Sequence, residues 1–271
     1  YPERFFDIGI AEQSLASVSA GMAAVGKIPF CHSFAAFASR RMCDQNYISC
    51  AYAQNNVKIV GSDPAISAGE NGGTHQANED LALMRPIAGI TILEPTDTVM
   101  MKWAVDQAAN TEGVFYLRVQ RTGNIKIYEE GSTFEIGKAN VVVEGTDVTL
   151  IAEGNLMLTT CMEAAKKLMA EGISARVVDM FCIKPIDKVC ILKCAAETGA
   201  IVTAENHSII GGLGSAVAEV LAEGGCAAPL RRIGIQDRFG EVATTPELQI
   251  CMKMTAADVA AAAKDAISAK K

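Results

Sequence analysis

Two residues of this chain have the type and setting for proton transfer. Glu12 ends the run Asp7-Ile8-Gly9-Ile10-Ala11-Glu12, and His75 sits in Gly69-Glu70-Asn71-Gly72-Gly73-Thr74-His75-Gln76. A glutamate in the first turn of a helix is favoured by the macrodipole. Here the apolar residues before it, and a helix face of Leu15, Val18 and Met22 after it, predict shielding from water. Burial disfavours the charged carboxylate and raises its pKa, so Glu12 is expected to donate a proton near neutrality. An imidazole titrates close to neutral pH, which suits His75 to acid–base work or to a developing oxyanion. The glycines around His75 let backbone approach a ligand closely.

Other groups lie near these two in sequence. Phe34-Ala35-Ala36-Phe37 sets two aromatics around small residues, a pattern of core packing or of a wall for a flat ring. Arg40 and Arg41 follow, as surface charges or as part of the same site. Arg118 and Arg121 end a strand pattern, and ligands in open α/β sheets bind beyond the carboxyl ends of strands. A guanidinium fork suits an oxyanion there.

The elements that must position these groups alternate between strand and helix patterns. Strands are expected at 5–10, 28–32, 57–62, 91–93 and 114–119, with helices at 11–25, 39–52, 80–85 and 95–110. Asp97 or Thr96 suits the N-terminus of the last of these helices. The polar stretch 124–138 breaks the alternation, and the domains are placed at 1–125 and 138–271. A second alternating unit follows, with strands at 148–152, 175–179, 200–204 and 231–234. Its helices are expected at 156–171, 187–198, 215–223 and 255–269. Such alternation predicts two doubly wound, mainly parallel α/β domains.

Composition narrows the function. Of 271 residues 50% are hydrophobic, enough for two cores. No apolar run reaches the roughly 20 residues of a membrane span. The net charge of −7, without a basic stripe, disfavours nucleic acid as a partner. The nine cysteines form no C-x-x-C pair and are expected to be reduced and mostly buried in a cytoplasmic protein, with Cys190 and Cys194 on one helix face as core residues. No metal site is expected in this chain.

The Ile10-Ala11-Glu12-Gln13 run, the Gly69–Gln76 loop and the Glu205-Asn206-His207-Ser208-Ile209-Ile210-Gly211-Gly212-Leu213-Gly214-Ser215 run resemble the transketolase family. So does Asp237-Arg238-Phe239-Gly240-Glu241. The likeness spans two domains of that family, the pyrimidine-binding domain, here truncated at its N-terminus, and the C-terminal domain. It implies thiamine diphosphate as cofactor, with Glu12 bonded to its aminopyrimidine. Phe37, then Phe34, would form the stacking wall, and Arg40, Arg41 and the Cys43-Asp44-Gln45 run would lie beside the pocket and dimer interface. His75 would contact substrate hydroxyls and the oxyanion, and Arg121 a sugar phosphate. His207 would reach the rim of the site at most, and the glycine turn before 215–223 reads as structural.

Two positions depart from the family pattern. Asp63 stands where a histidine near the substrate phosphate is usual, and Asn71 replaces an aspartate that binds a donor hydroxyl. An unusual ketose, or a donor with a modified or absent phosphate, is expected. The G-D-G…N motif that binds diphosphate through Mg²⁺ is missing. The resemblance therefore implies a split transketolase of which this chain is the C-terminal subunit, and a partner carrying Mg²⁺ and the diphosphate domain in an α2β2 assembly. Rival readings are a longer chain, the β-subunit of the E1 component of a 2-oxo acid dehydrogenase, a 1-deoxyxylulose-phosphate-synthase-like enzyme, or a non-catalytic scaffold subunit.

Overall fold

The computed structural model of the chain describes residues 1–121 and 125–270. Asn124, the first residue of the expected break, and Lys271 lie outside them. The first half runs α1 (Glu12–Ala24), β1 (Phe30–Phe34), α2 (Cys43–Gln45), β2 (Lys58–Ser62), α3 (Asp80–Met84), β3 (Thr91–Leu93), α4 (Thr98–Asn110) and β4 (Phe115–Val119). The second runs β5 (Asn140–Val143), β6 (Val148–Ala152), α5 (Gly154–Ala170), β7 (Ala175–Asp179), β8 (Cys182–Lys184), α6 (Lys188–Thr198), β9 (Ile201–Ser208), α7 (Leu213–Glu223), β10 (Leu230–Ile235), α8 (Thr245–Cys251) and α9 (Ala256–Ser268).

Two five-stranded sheets result, ordered β1-β2-β4-β3-β8 and β10-β9-β6-β7-β5. Within each, all pairs are parallel except one edge, β3 with β8 and β5 with β7. The expected doubly wound α/β architecture is therefore present. One strand crosses the halves: β8, from the second, closes the edge of the first sheet through Ile92↔Lys184 and Leu93↔Cys182. Strands β6 and β4 are almost wholly buried, as parallel strands covered on both faces must be.

Local chemistry sets the element ends. Asp97 caps α4, accepting from Met100 N at 3.0 Å, and its other oxygen accepts from Ile127 N and Tyr128 N. Thr255 and Asp258 form a reciprocal capping box at α9. The expected helix 39–52 is an irregular stretch instead, with wide turns at Phe37–Arg41 and Asn46–Tyr52 on either side of α2. The expected strand at 5–10 does not form. Gly9 takes φ +72° and its amide bonds to Asp7 Oδ1 at 2.8 Å, which turns the chain and leaves Phe5, Phe6 and Ile10 exposed.

The halves share an apolar core, in which Met84 and Ile92 pack with Ile151, Val178 and Ile183. Beside it lies a buried ionic joint. Arg118, fully enclosed, meets Asp80 at 2.8 Å, Glu94 at 2.7 Å and Glu153 at 3.3 Å, and donates to the Asn206 carbonyl at 2.7 Å. Tyr116 Oη donates to Asp80 at 2.7 Å. Cys194 is buried and Cys190 half-buried against the core, as expected. Among the described residues no helix is long and apolar enough to cross a membrane, and no group of three or more His, Cys, Asp or Glu is placed to hold a metal.

Candidate functional site

Three segments converge beside β1: the first turn of α1, the turn leaving β1, and the loop 69–76. The rings of Phe34, Phe37 and His75 pack edge to face, with centroids 5.1 to 6.0 Å apart. Buried Ala35, Ala36 and Ala77 support them, and their small side chains leave the ring cluster half-open. Glu12 is 7% exposed. Both of its carboxylate oxygens accept from Arg41 Nη1 at 2.9 Å, and the Arg41 guanidinium lies over the Phe37 ring, 4.4 Å from its centroid.

That pairing corrects the expected ionisation of Glu12. Burial pushes the carboxyl up, but hydrogen bonds from Arg41 and from its own backbone amide, with the arginine charge, outweigh it and hold the pKa below the ordinary value. The shield differs too, because Val18 faces outward at 44% exposure. Helix spacing alone does not reveal Arg41, which lies 29 residues away along the chain.

The loop carrying His75 is tied down from two directions. Arg40 donates to the Thr74 carbonyl at 3.1 Å and pairs with Glu79 at 2.9 Å, so it braces the loop. Gln76 Nε2 donates to the Glu241 carbonyl at 2.8 Å, reaching into the second half. A Cβ at Gly73 would meet the Gly240 carbonyl at 2.6 Å, so this glycine admits the second domain's backbone rather than a ligand. Thr74 Oγ1 lies 3.0 Å from His75 Nδ1, and Asn71 is exposed at the loop's tip.

Asp63 and Arg121 meet at the ends of β2 and β4. Arg121 Nε is 3.3 Å from Asp63 Oδ2, and its guanidinium lies over Phe34 at 5.4 Å. With His32, Ser33, Phe34 and Ser62 they line a cavity of about 450 Å³. His32 was not among the sequence candidates; its position in β1, one strand over from Ser62, was the available signal. Burial pushes Asp63 up, and Arg121 opposes this only in part. The neighbouring turn is clamped by the second half, since Asn206 Nδ2 donates to the carbonyl of Pro64 and to Ser67 Oγ, both at 2.9 Å.

Two other expectations are corrected. Arg118 belongs to the interdomain joint and offers no fork to a ligand. His207 is fully buried, accepting from Ala82 N at 3.3 Å through Nε2, and burial pushes its pKa down to about 4. It does not reach the site's rim. Likewise the amide of Gly214 at the start of α7 already donates to Glu205 at 3.0 Å, consistent with a structural glycine turn.

The arrangement fits the aminopyrimidine of thiamine diphosphate. Arg41 supplies the test: a flat, nitrogen-rich donor lies over the Phe37 ring and bonds to Glu12, as an aminopyrimidine would. Glu12, Phe37 and Phe34 could hold such a ring, with His75 beside them.

The family profile described as "Transketolase, pyrimidine binding domain" matches residues 1–124, and "Transketolase, C-terminal domain" matches 137–259. The chain is 47% identical over 269 residues to the 6-deoxy-6-sulfo-D-fructose transketolase subunit SqwH of Clostridium sp. (strain MSTE9), covering 99% of this chain and 83% of that protein. It is 44% identical over 250 residues to a putative transketolase C-terminal section of Methanocaldococcus jannaschii, covering 92% and 78% respectively. A solved structure titled split gene transketolase, inactive beta4 tetramer, superposes with a TM-score of 0.91 at 44% identity, over 100% of this chain and 86% of that one. The chain thus belongs to the transketolase family and comprises its pyrimidine-binding and C-terminal domains.

Proposed function

We propose that this chain is the C-terminal subunit of a split, thiamine-diphosphate-dependent transketolase that moves a two-carbon ketol unit from a ketose to an aldose. The observation that carries the proposal is the buried Glu12 carboxylate joined through the Arg41 guanidinium to the Phe37 ring, with His75 packed edge to face against that ring. The split arrangement is supported by the subunit and split-gene descriptions of its relatives. The partner subunit would supply the diphosphate site and its Mg²⁺, in an α2β2 assembly.

Bound thiamine diphosphate supplies the electron sink for carbon–carbon cleavage. Glu12 would hold the aminopyrimidine by a hydrogen bond and carry the proton exchanged with it. Its depressed pKa reflects the Arg41 pair; once Arg41 leaves, the same burial favours the protonated acid. Phe37 and Phe34 orient the ring and exclude water from one side. His75, braced through Arg40 and Gln76, is placed for substrate hydroxyls and the developing alkoxide. Asn71 and Arg121 are candidates for substrate contact beyond it.

The test is Glu12→Gln in the complex purified with its natural partner. The expected result is a loss of ketol transfer by at least about 10²-fold, the order of a general acid–base contribution, with the assembly intact. Unchanged transfer in the variant, or no thiamine-diphosphate-dependent transfer in the native complex, would exclude the assignment.

A further inference from the structure

Cys190 and Cys194 stand one turn apart on α6 and line the same cavity, of about 230 Å³, in the second domain. Their sulfurs are 4.0 Å apart, with Cys190 half-buried and Cys194 2% exposed. Arg176, on the same cavity wall, donates through Nη1 to Cys194 Sγ at 3.7 Å and is itself held by Glu197 at 2.5 Å. The hydrogen bond from Cys190, with that of Arg176, holds the Cys194 thiol below its ordinary pKa against burial. The pair therefore stands as one thiolate and one thiol that share a proton.

The ordinary fate of two close thiols is a disulfide, but the helix opposes it. Cβ atoms four residues apart on a helix are about 5–6 Å apart, whereas a disulfide needs about 3.5–4.5 Å. An ion set between the sulfurs restores the missing reach. Two metal–sulfur bonds of about 2.3 Å bridge the 4.0 Å gap at an angle of about 120°, and slight rotation of the Cys190 side chain opens it toward linear. Thiolates are soft ligands and select soft ions, cuprous copper and zinc among them.

The ligand count separates these two ions. A structural zinc takes four ligands. The carboxylates on the cavity wall are already engaged: Asp187 Oδ1 accepts from Cys190 N at 2.9 Å and Oδ2 from Ala139 N at 3.1 Å, while Glu144 lies 3.5 Å from Arg176 Nε. Among the described residues no third His, Cys, Asp or Glu joins the two thiols in a metal-holding group. A monovalent soft ion is satisfied by two thiolates alone. The resulting complex carries one negative charge, and the Arg176 donor lies beside it.

We propose that Cys190 and Cys194 form a two-thiolate site for a monovalent soft cation, with the cuprous ion as its type, outside the ketol-transfer site. Binding replaces the shared proton. Cys190 releases it to solvent, two sulfur–metal bonds form, and no atom is oxidised or reduced.

The test uses the complex purified with its natural partner, reduced and free of oxygen, with Cu⁺ buffered by a chromophoric chelator. The native complex is expected to retain one more Cu⁺ per copy of this chain than Cys190→Ser does. Comparing variants cancels ions held elsewhere, and Cys251→Ser, which removes an exposed cysteine, is expected to match the native complex. Cys194→Ser should lose the same equivalent, but that position is buried, so the half-buried Cys190 decides. Zn²⁺ under chelator competition is expected to be retained equally by the native and Cys190→Ser complexes. Equal Cu⁺ retention by these two complexes overturns the proposal, and Zn²⁺ held in a Cys190-dependent way overturns the choice of ion. A Cys190–Cys194 disulfide formed by hydroperoxide with the helix content unchanged would overturn the geometric argument.

Discussion

Replacing Arg118 by methionine removes the cation that the acids of the buried joint between the halves enclose. Asp80, Glu94 and Glu153 stay within the cavity it leaves, and the Asn206 carbonyl loses its donor. Methionine restores apolar volume but no charge, and breaking a buried ion pair from one side costs about 3–5 kcal/mol. For a protein of this size each kcal/mol moves Tm by about 2–4 °C, so a fall of roughly 6–20 °C is expected. The effect depends on pH. In the native chain Arg118 holds Asp80 below its ordinary pKa against the pull of burial. Burial already raises Glu94 and Glu153 against the pull of Arg118; without it all three carboxyls move further up, so the folded state binds more protons than the unfolded one over a wider range, and stability falls more steeply as pH rises. The deficit should therefore be smallest near pH 5 and grow toward pH 8. Thermal unfolding followed by circular dichroism at the two pH values checks both statements. A fall of less than about 3 °C, or a deficit that does not grow with pH, would refute the reasoning about the joint.

Other outcomes follow from the same geometry. His207, neutral in the fold with its pKa pushed to about 4, takes up a proton on unfolding below pH 6.5, so stability is lost as pH falls through that window. His207→Gln should remove roughly 3 kcal/mol of the acid-side loss between pH 6.5 and 4, measured by urea unfolding; an unchanged acid limb would show that other groups dominate. Because Arg41 occupies both Glu12 and the Phe37 face, Arg41→Ala should tighten thiamine diphosphate binding to the assembled complex by about tenfold in titration calorimetry. Weaker binding would show that Arg41 instead holds the cofactor. Gly73→Ala should cost about 1–3 kcal/mol, because its Cβ meets backbone at Gly240 that cannot step aside.

Much of this architecture is readable from residues. The runs ending at Ser62, Val119 and Ala152 are apolar enough to require cover on both faces, and the helices between them give the parallel crossovers. What escapes such reading depends on partners far along the chain. Cys182-Ile183-Lys184 is short and precedes a proline, so nothing local marks it as a strand; its partner is Ile92 and Leu93. Arg118 reads as a ligand group because arginine is rarely buried, and the three acids that enclose it come from different elements. At Glu12 burial was legible, but the sign of its pKa shift was set by Arg41. The ring cluster of Phe34, Phe37 and His75 was legible as three candidates; their edge-to-face contact required the fold.

The strand that crosses between the halves has a consequence for synthesis. As the chain leaves the ribosome, β1 to β4 emerge first, with the β3 edge open and its backbone groups unanswered. That edge stays a template for pairing with another chain until residues 182–184 follow and close it. The first sheet is therefore finished by residues that are translated within the second. A nascent chain arrested between the halves should be prone to aggregate, and the two halves should fold as one unit rather than in turn.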